Sequence, residues 1–133
     1  MNKISITITN IEEDNGLLLI DLHADNFHLS ALLINTGEKP FWLKPGNKAV
    51  AVFKGNGGFS CKNLQGMISL RNKLPCRIEK FEAGKILSLV TLRFGQYTIQ
   101  SAITSRSAEM LGIKPGEEVL ALIKSNEVSL MKE

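Results

Sequence analysis

The feature that most constrains this chain is an internal repeat at a fixed offset. Lys44-Pro45-Gly46 recurs as Lys114-Pro115-Gly116, and Lys54 recurs as Lys124, in the same register. The match needs no gap from about residue 4 to residue 58. We therefore expect two tandem copies of about 65 residues, joined near 62–68, and divide the chain into domains 1–63 and 64–133.

Both copies have the patterns of β-strands. Ile4, Ile6 and Ile8 alternate with polar residues, which is the period of a half-buried strand. Hairpin turns are expected at Asp25-Asn26 and at Phe94-Gly95-Gln96. The other predicted strands are Leu17–Leu22, Phe27–Ile34, Asn47–Lys54 and Phe59–Cys61 in the first copy, and Lys85–Leu92, Tyr97–Ile103, Glu118–Lys124 and Val128–Met131 in the second.

One helix is predicted, over Ser105–Leu111, with Thr104 as its N-cap and Gly112 after its end. Its first-copy counterpart contains Gly37 and Pro40, which weaken a helix there. About five short strands and one short helical turn per copy favour a mainly β fold. The predicted architecture is two tandem Greek-key barrels of the OB type, each with one short helical turn.

Composition narrows the classes of function. The chain has no apolar run of about 18 residues and no N-terminal leader pattern, so we expect a cytoplasmic protein without a membrane partner. Residues 1–64 carry six lysines and six acidic residues, whereas residues 65–133 carry ten Lys or Arg and seven Glu. The whole net charge of +3 therefore lies in the second copy, which suits a small anion better than a long polyanion.

Several other residue patterns have ordinary explanations. Cys61 and Cys76 lack metal-site spacing and are expected to be packing residues. Residues 55–58, Gly-Asn-Gly-Gly, favour a turn over a phosphate loop, because no Lys-Ser or Lys-Thr follows. His23 and His28 could bind a metal as a pair, but no third ligand is evident, and a surface position is expected. No nucleophile–base pair or carboxylate dyad indicates an enzyme.

Three segments of the second copy supply hydrogen-bond donors and positive charge. They are Ser69-Leu70-Arg71-Asn72, 103–107 and 122–125. Arg71 offers a planar fork for two oxygens, and Lys124 offers a point charge. Thr104 and Ser107 add hydroxyls at the predicted helix start, where backbone N–H groups are free. A lining of donors without a carboxylate favours a fully deprotonated tetrahedral anion, such as molybdate, tungstate or sulfate, over phosphate that keeps a proton.

The same segments resemble the Mop module, which is also classed among TOBE domains. The resemblance rests on Ser69-Leu70-Arg71-Asn72, 103–107, 111–116 and 122–125, with Leu70 as a departure where the family usually has Ala. It implies OB-like barrels, tandem copies and sites at interfaces between modules. It also implies molybdate or tungstate as the ligand, without an organic cofactor or a metal ion coordinated by side chains. The oxyanion-binding residues assigned on this basis are Ser69, Arg71, Asn72, Thr104, Ser107, Lys124 and Ser125.

The first copy lacks most of this set. At the repeat offset, Ile34 replaces Thr104 and Gly37 replaces Ser107, while Lys54 keeps the place of Lys124. We therefore interpret the first copy as a structural partner, with Lys54 as an auxiliary anion-binding residue.

The resulting hypothesis is a protein that binds molybdate or tungstate for intracellular storage, buffering or delivery, and that is not an enzyme. One alternative is an oxyanion-sensing module that regulates a separate transcriptional regulator or transporter ATPase. Another is an OB-type nucleic-acid binder, which the scattered aromatic residues do not favour, so we expect no nucleic-acid partner. A homo-oligomer is expected, a trimer rather than a dimer.

Overall fold

The computed structural model describes residues 1–35, 37–55 and 67–133, together with the backbone of 59–61. The first half contains β1 (Asn2–Asp14), β2 (Leu17–Ala24), β3 (Phe27–Ile34), β4 (Lys48–Phe53) and β5 (Phe59–Cys61). The second half contains β6 (Asn72–Glu82), β7 (Leu87–Phe94), β8 (Tyr97–Thr104), α1 (Ser105–Leu111), β9 (Glu118–Ile123) and β10 (Ser129–Lys132), with a 3-10 turn at Ser125–Glu127.

The strands form two five-stranded sheets, and each sheet receives its last strand from the other half. The first sheet has the order β10-β4-β1-β2-β3, and the second has the order β5-β9-β6-β7-β8. Strand β10 pairs antiparallel with β4, and β5 pairs antiparallel with β9. The division into 1–63 and 64–133 stays a prediction, and the expected junction at 62–68 lies largely outside the described residues.

The first sheet coils into a small barrel. In the first sheet, the edge strand β3 contacts β10 and the 3-10 turn that precedes it. All the pairings are antiparallel, as in a Greek-key barrel built from hairpins. The predicted fold class is confirmed: the chain is mainly β, with two OB-like modules in tandem.

The repeat is visible in the backbone of the two Lys-Pro-Gly turns. Gly46 N–H donates to Ile8 O at 2.7 Å, and Gly116 N–H donates to Ile78 O at the same 2.7 Å. The two glycines have φ values of 92° and 90°, a region that side chains with a Cβ rarely adopt. Glycine is therefore required at the same point of both turns.

The hydrophobic core continues from one half into the other. Alternate residues of β1 and β6 point inward, so that polar residues between them face solvent. Their buried apolar side chains join one cluster that includes both halves: Ile4, Ile6 and Ile8 from β1, and Leu74, Cys76 and Ile78 from β6.

The local predictions for turns and for the helix are confirmed. Ala24 pairs with Phe27, which leaves the two-residue loop 25–26, and Phe94 pairs with Tyr97 around loop 95–96. The helix covers Ser105–Leu111. In the first half, Leu43 N–H donates to Pro40 O at 3.0 Å and closes a turn where the second half has its helix.

No helix among the described residues has the length and apolar character needed to cross a membrane. The turn predicted at 55–58 falls mostly outside the described residues, since 56–58 are among those not covered.

Candidate functional site

Arg71 and Lys124 flank the same pair of strand residues at one end of the second sheet. Asn72 is the first residue of β6 and pairs with Ile123, the last residue of β9. Arg71 immediately precedes this pair and Lys124 immediately follows it, so their Cα atoms lie on neighbouring antiparallel strands, which are about 5 Å apart. Both side chains are exposed, and neither is within ion-pair distance of a carboxylate in the described part of the chain.

Asn72 lies directly beside these cations, but its side chain is fully buried. Its Oδ1 accepts from Ser30 N–H at 2.7 Å, and its Nδ2 donates to Ser30 O at 2.9 Å. Ser30 belongs to β3 of the first sheet, so the Asn72 amide joins the two halves. Ser125 makes a second contact with the same residue, since its Oγ lies 2.6 Å from Ser30 Oγ. We call Arg71, Lys124, Ser125 and Ser30 the cation junction.

The same connection occurs at the repeat-related position. Asn2 Nδ2 donates to Gln100 O at 3.0 Å, and Gln100 N–H donates to Asn2 Oδ1 at 2.9 Å. Asn2 and Asn72 share the repeat offset, as do Ser30 and Gln100. Asn2, Ser30 and Gln100 were not singled out from the sequence, although extending the repeat by two residues would have found the asparagine pair.

Thr104 and Ser107 lie at the start of α1, where they bind each other. Thr104 Oγ1 accepts from Ser107 N–H at 3.1 Å and donates to Ser107 Oγ at 2.8 Å. Thr104 is thus the N-cap that the sequence predicted. The Thr104 Oγ1–H is already donated, so an incoming anion must replace that bond or use the Ser107 hydroxyl.

The hydroxyls and the cations of the second half lie at opposite ends of β6. Thr104 pairs with Leu87, the first residue of β7. Since Glu82, the last residue of β6, pairs with Leu89, this end of β7 lies beyond the end of β6. Arg71 precedes the first residue of that strand. Strand β6 has 11 residues, which span at most roughly 35 Å, and a bulge between Ile78 and Lys80 shortens it. One chain therefore does not bring Thr104 and Ser107 to Arg71 and Lys124.

Further along β8 from Thr104, Gln100 and Ala102 lie beside Lys54 and Gly55 of the first half. Gln100, Ala102 and Thr104 alternate along one face of β8, and Ala102 N–H donates to Gly55 O at 3.0 Å. A cavity of about 280 Å³ lies between them, lined by Met1, Asn2, Lys54, Gly55, Leu89, Gln100 and Ala102. We call Lys54, Gly55, Gln100 and Ala102 the Lys54 junction.

The two junctions differ in charge. Lys54 also lines an adjoining cavity of about 380 Å³ that Glu127 lines as well. Glu127 ends the 3-10 turn that begins at Ser125, and its N–H donates to Lys124 O at 3.0 Å, so Glu127 borders both junctions. The cation junction has two cations, Arg71 and Lys124, without an ion-pair partner among the described residues, whereas the Lys54 junction has one cation. Ser69 is exposed just before β6, on the side of the cation junction.

Among the described residues, the thiol of Cys76 has the pKa that departs most from its ordinary value. Burial raises the pKa of its thiol to about 12, against a hydrogen bond from the Ala121 backbone that lowers it. Cys76 is 3% exposed and its Sγ donates to Leu74 O at 3.3 Å, which fits the predicted packing role. The side chain of Cys61 lies outside the described residues.

Comparison with known proteins relates this geometry to a family. The TOBE domain family matches residues 68–130. The chain is 37% identical over 105 residues to molybdenum-pterin-binding protein MopB of Rhodobacter capsulatus, a match covering 77% of this chain and 38% of that protein. It is 38% identical over 65 residues to molybdenum-pterin-binding protein 1 of Clostridium pasteurianum, covering 48% of this chain and 96% of that one.

A solved structure agrees over nearly the whole chain. The cytoplasmic molybdate-binding protein ModG, with molybdate bound, superposes with a TM-score of 0.92 at 25% identity, covering 99% of this chain and 96% of that one. The chain spans little more than a third of the length of the Rhodobacter relatives, 38% and 34%, but almost all of the Clostridium protein, 96%. This protein therefore belongs to the Mop family of TOBE-domain proteins.

Proposed function

We propose that this protein binds molybdate or tungstate in the cytoplasm, for storage, buffering or delivery, and that it does so without catalysing a reaction. The observation that carries the proposal is the placement of Arg71 and Lys124 at one strand end, exposed and without a carboxylate partner in the described chain. The relatives are named for molybdenum-pterin binding and for molybdate binding, which supports the same ligand.

The chemistry of the donors supports a tetrahedral dianion. Arg71 supplies two parallel N–H groups, and Lys124 supplies a second positive charge. Each charge-assisted hydrogen bond contributes about 1.5–3 kcal/mol, so several offset the desolvation of the anion. Since Arg71 and Lys124 supply no hydrogen-bond acceptor, they favour molybdate, tungstate or sulfate over a protonated phosphate.

Titration calorimetry with molybdate, tungstate, sulfate and phosphate tests this proposal. Arg71→Ala and Lys124→Ala should each weaken molybdate binding by about 10- to 100-fold, the equivalent of about 1.5–3 kcal/mol. Lys73→Ala is the matched control, because it removes the same charge two residues from Arg71, on an exposed position of β6. Failure to bind molybdate and tungstate at micromolar concentrations contradicts the proposal, as does an equal loss in the control.

We further propose that a complete oxyanion site is shared between chains of a homo-oligomer, with a trimer favoured over a dimer. The support is the separation of the cation junction from Thr104 and Ser107 within one chain. A neighbouring chain can bring its own Thr104 and Ser107 to Arg71 and Lys124. Asn72, whose amide is occupied by Ser30, then positions Arg71 rather than contacting the anion.

Complementation between variants tests the sharing. Arg71→Ala removes the cation side, whereas Thr104→Asp keeps a good N-cap acceptor for α1 but places a carboxylate on the hydroxyl side. Each variant alone should bind molybdate weakly. When the two are refolded together, some sites combine the intact Arg71 of one chain with the intact Thr104 of the other, and tight binding should partly return. No recovery in mixed oligomers, verified by native mass spectrometry, contradicts a shared site.

A regulatory role is the second candidate. The match covers only 38% of MopB, so related modules also occur within longer chains. In that case the protein would sense the oxyanion and act on a separate regulator or transporter. Co-purification of such a partner that changes with molybdate favours this role over storage.

A further inference from the structure

A pair of histidines lies opposite each other on the first sheet, away from both junctions. His23 of β2 pairs with His28 of β3, in the row next to the Asp25-Asn26 turn. The two-residue turn fixes the register of this hairpin, so the facing of the two imidazoles is set by the backbone. His23 is half-buried and His28 is exposed, which leaves the pair accessible from solvent.

The distance between the two rings suits a metal ion. The Nε2 atoms are 3.1 Å apart, within hydrogen-bond distance, while the ring centroids are 4.1 Å apart. Two metal–nitrogen bonds of about 2.0–2.1 Å, at an angle between about 90° and 109°, place the nitrogens about 2.9–3.4 Å apart. The observed separation of the two nitrogens falls within this range.

The fold itself does not require the pair. At the repeat-related positions of the second half, Arg93 faces Thr98 beside an equally short turn. Arg93 Nε there donates to Glu79 Oε1 at 2.8 Å, so that hairpin is held by other contacts. The histidines are therefore a feature of the first half and not a structural element of the repeat.

The surroundings determine which ion fits. The row across the sheet continues from His23 to Thr7 and then to Lys48, whose Cα lies two strands, or roughly 10 Å, from that of His23. No third His, Cys, Asp or Glu joins the two rings within the described residues. Water completes the coordination, and imidazole nitrogen selects ions of borderline softness, with Cu²⁺ bound more tightly than Ni²⁺ or Zn²⁺.

We propose that His23 and His28 form a surface site for one divalent transition-metal ion, Cu²⁺ foremost, bound through both Nε2 atoms. The site uses no residue of the proposed oxyanion site. The metal-binding proposal can therefore be refuted while molybdate binding is confirmed, and metal binding can be confirmed while molybdate binding is refuted.

Titration of the metal-free full-length chain with Cu²⁺ and with Zn²⁺, in a non-coordinating buffer without molybdate, tests the proposal. We expect one Cu²⁺ per chain, saturating below about 1 mM, with Zn²⁺ weaker. Loss of a group that only orients a metal ligand lowers metal affinity about 10- to 100-fold. Because His23 and His28 are themselves the proposed ligands, His23→Asn and His28→Asn should each lower Cu²⁺ affinity at least about tenfold. Nitrogen hyperfine splitting in the Cu²⁺ electron paramagnetic resonance spectrum should indicate two imidazoles.

A gain-of-site variant provides the matched control. Arg93→His combined with Thr98→His recreates the pair at the same register of the second half, and it should add a second Cu²⁺ per chain. Unfolding midpoints without metal check that each variant is folded. Absence of binding below about 1 mM, or unchanged binding in the His23→Asn, His28→Asn double variant, overturns the proposal.

Discussion

The buried amide of Asn72 holds the second half of the chain against the first, and we predict that removing it is costly. Asn72 is 0% exposed and makes two short hydrogen bonds with the backbone of Ser30. In Asn72→Ala, the Ser30 N–H and C=O both lose their side-chain partner. Leaving a buried polar group unsatisfied costs about 1–3 kcal/mol, so we expect a loss of about 2–5 kcal/mol in the free energy of unfolding.

This loss is a large fraction of the free energy of unfolding of such a chain, which is of the order of 10 kcal/mol. It should lower Tm by about 7–18 °C, since about 3.6 °C corresponds to 1 kcal/mol at this size. Equilibrium urea unfolding measures the free energy, and differential scanning calorimetry measures Tm. The m-value should stay unchanged if the variant keeps the same folded state.

The repeat offers a matched comparison for this prediction. Asn2→Ala removes the equivalent amide, but Asn2 is 6% exposed and lines the cavity of about 280 Å³. Water can reach the freed groups of Gln100 there, so the expected cost is only about 1 kcal/mol. A loss below about 1 kcal/mol for Asn72→Ala, or a loss for Asn2→Ala that equals it, refutes the reasoning.

Two further predictions concern packing and pH. A Cβ at Gly55 would lie 2.3 Å from Gln100 O, so Gly55→Ala should destabilise the chain by about 1–3 kcal/mol. A Cβ at Gly37 would have nothing within 4 Å, so Gly37→Ala should change stability by less than about 0.5 kcal/mol. Chemical denaturation compares the two variants, and equal effects contradict the close contact at Gly55. The Cys76 pKa is raised from 9.0 to about 12 in the folded state, so the unfolded thiol ionises first and stability should fall as pH rises from about 9 to 12, by at most about 4 kcal/mol. Unfolding of Cys76→Ala across that range should lack this fall, and identical pH profiles would contradict the burial argument.

Local features of the fold were predictable because short-range chemistry determines them. Thr104 and Gly112 define the ends of the helix through a side-chain cap and a left-handed residue, at φ 65°, and both signals are readable in the sequence. The hairpin turns and the Lys-Pro-Gly turns follow from the same kind of backbone preference. The mainly β fold then follows from the strand periods between them.

The exchange of last strands was not predictable from the sequence. Strands β5 and β10 have three and four residues, too few for a pattern that selects a partner. Their alternative partners are repeat-related strands, β4 and β9, which present similar alternating apolar side chains. Only the path of the whole chain decides between them.

The arrangement of the candidate site was only partly predictable. Its donors could be recognised by residue type, because cations and hydroxyls suit an oxyanion. Their separation along β6 could not be recognised, since it depends on which strand ends meet. The burial of Asn72 against Ser30 likewise depends on contact between the two halves.

The exchanged strands also affect how the protein is made. Strand β10 is synthesised after strands β1 to β9, yet it covers the edge of β4 in the first sheet. Until β10 leaves the ribosome, β4 presents an open edge that can pair with other nascent chains. Translation that stops shortly before β10 should therefore leave the earlier-made barrel incomplete while the later-made sheet has all its strands.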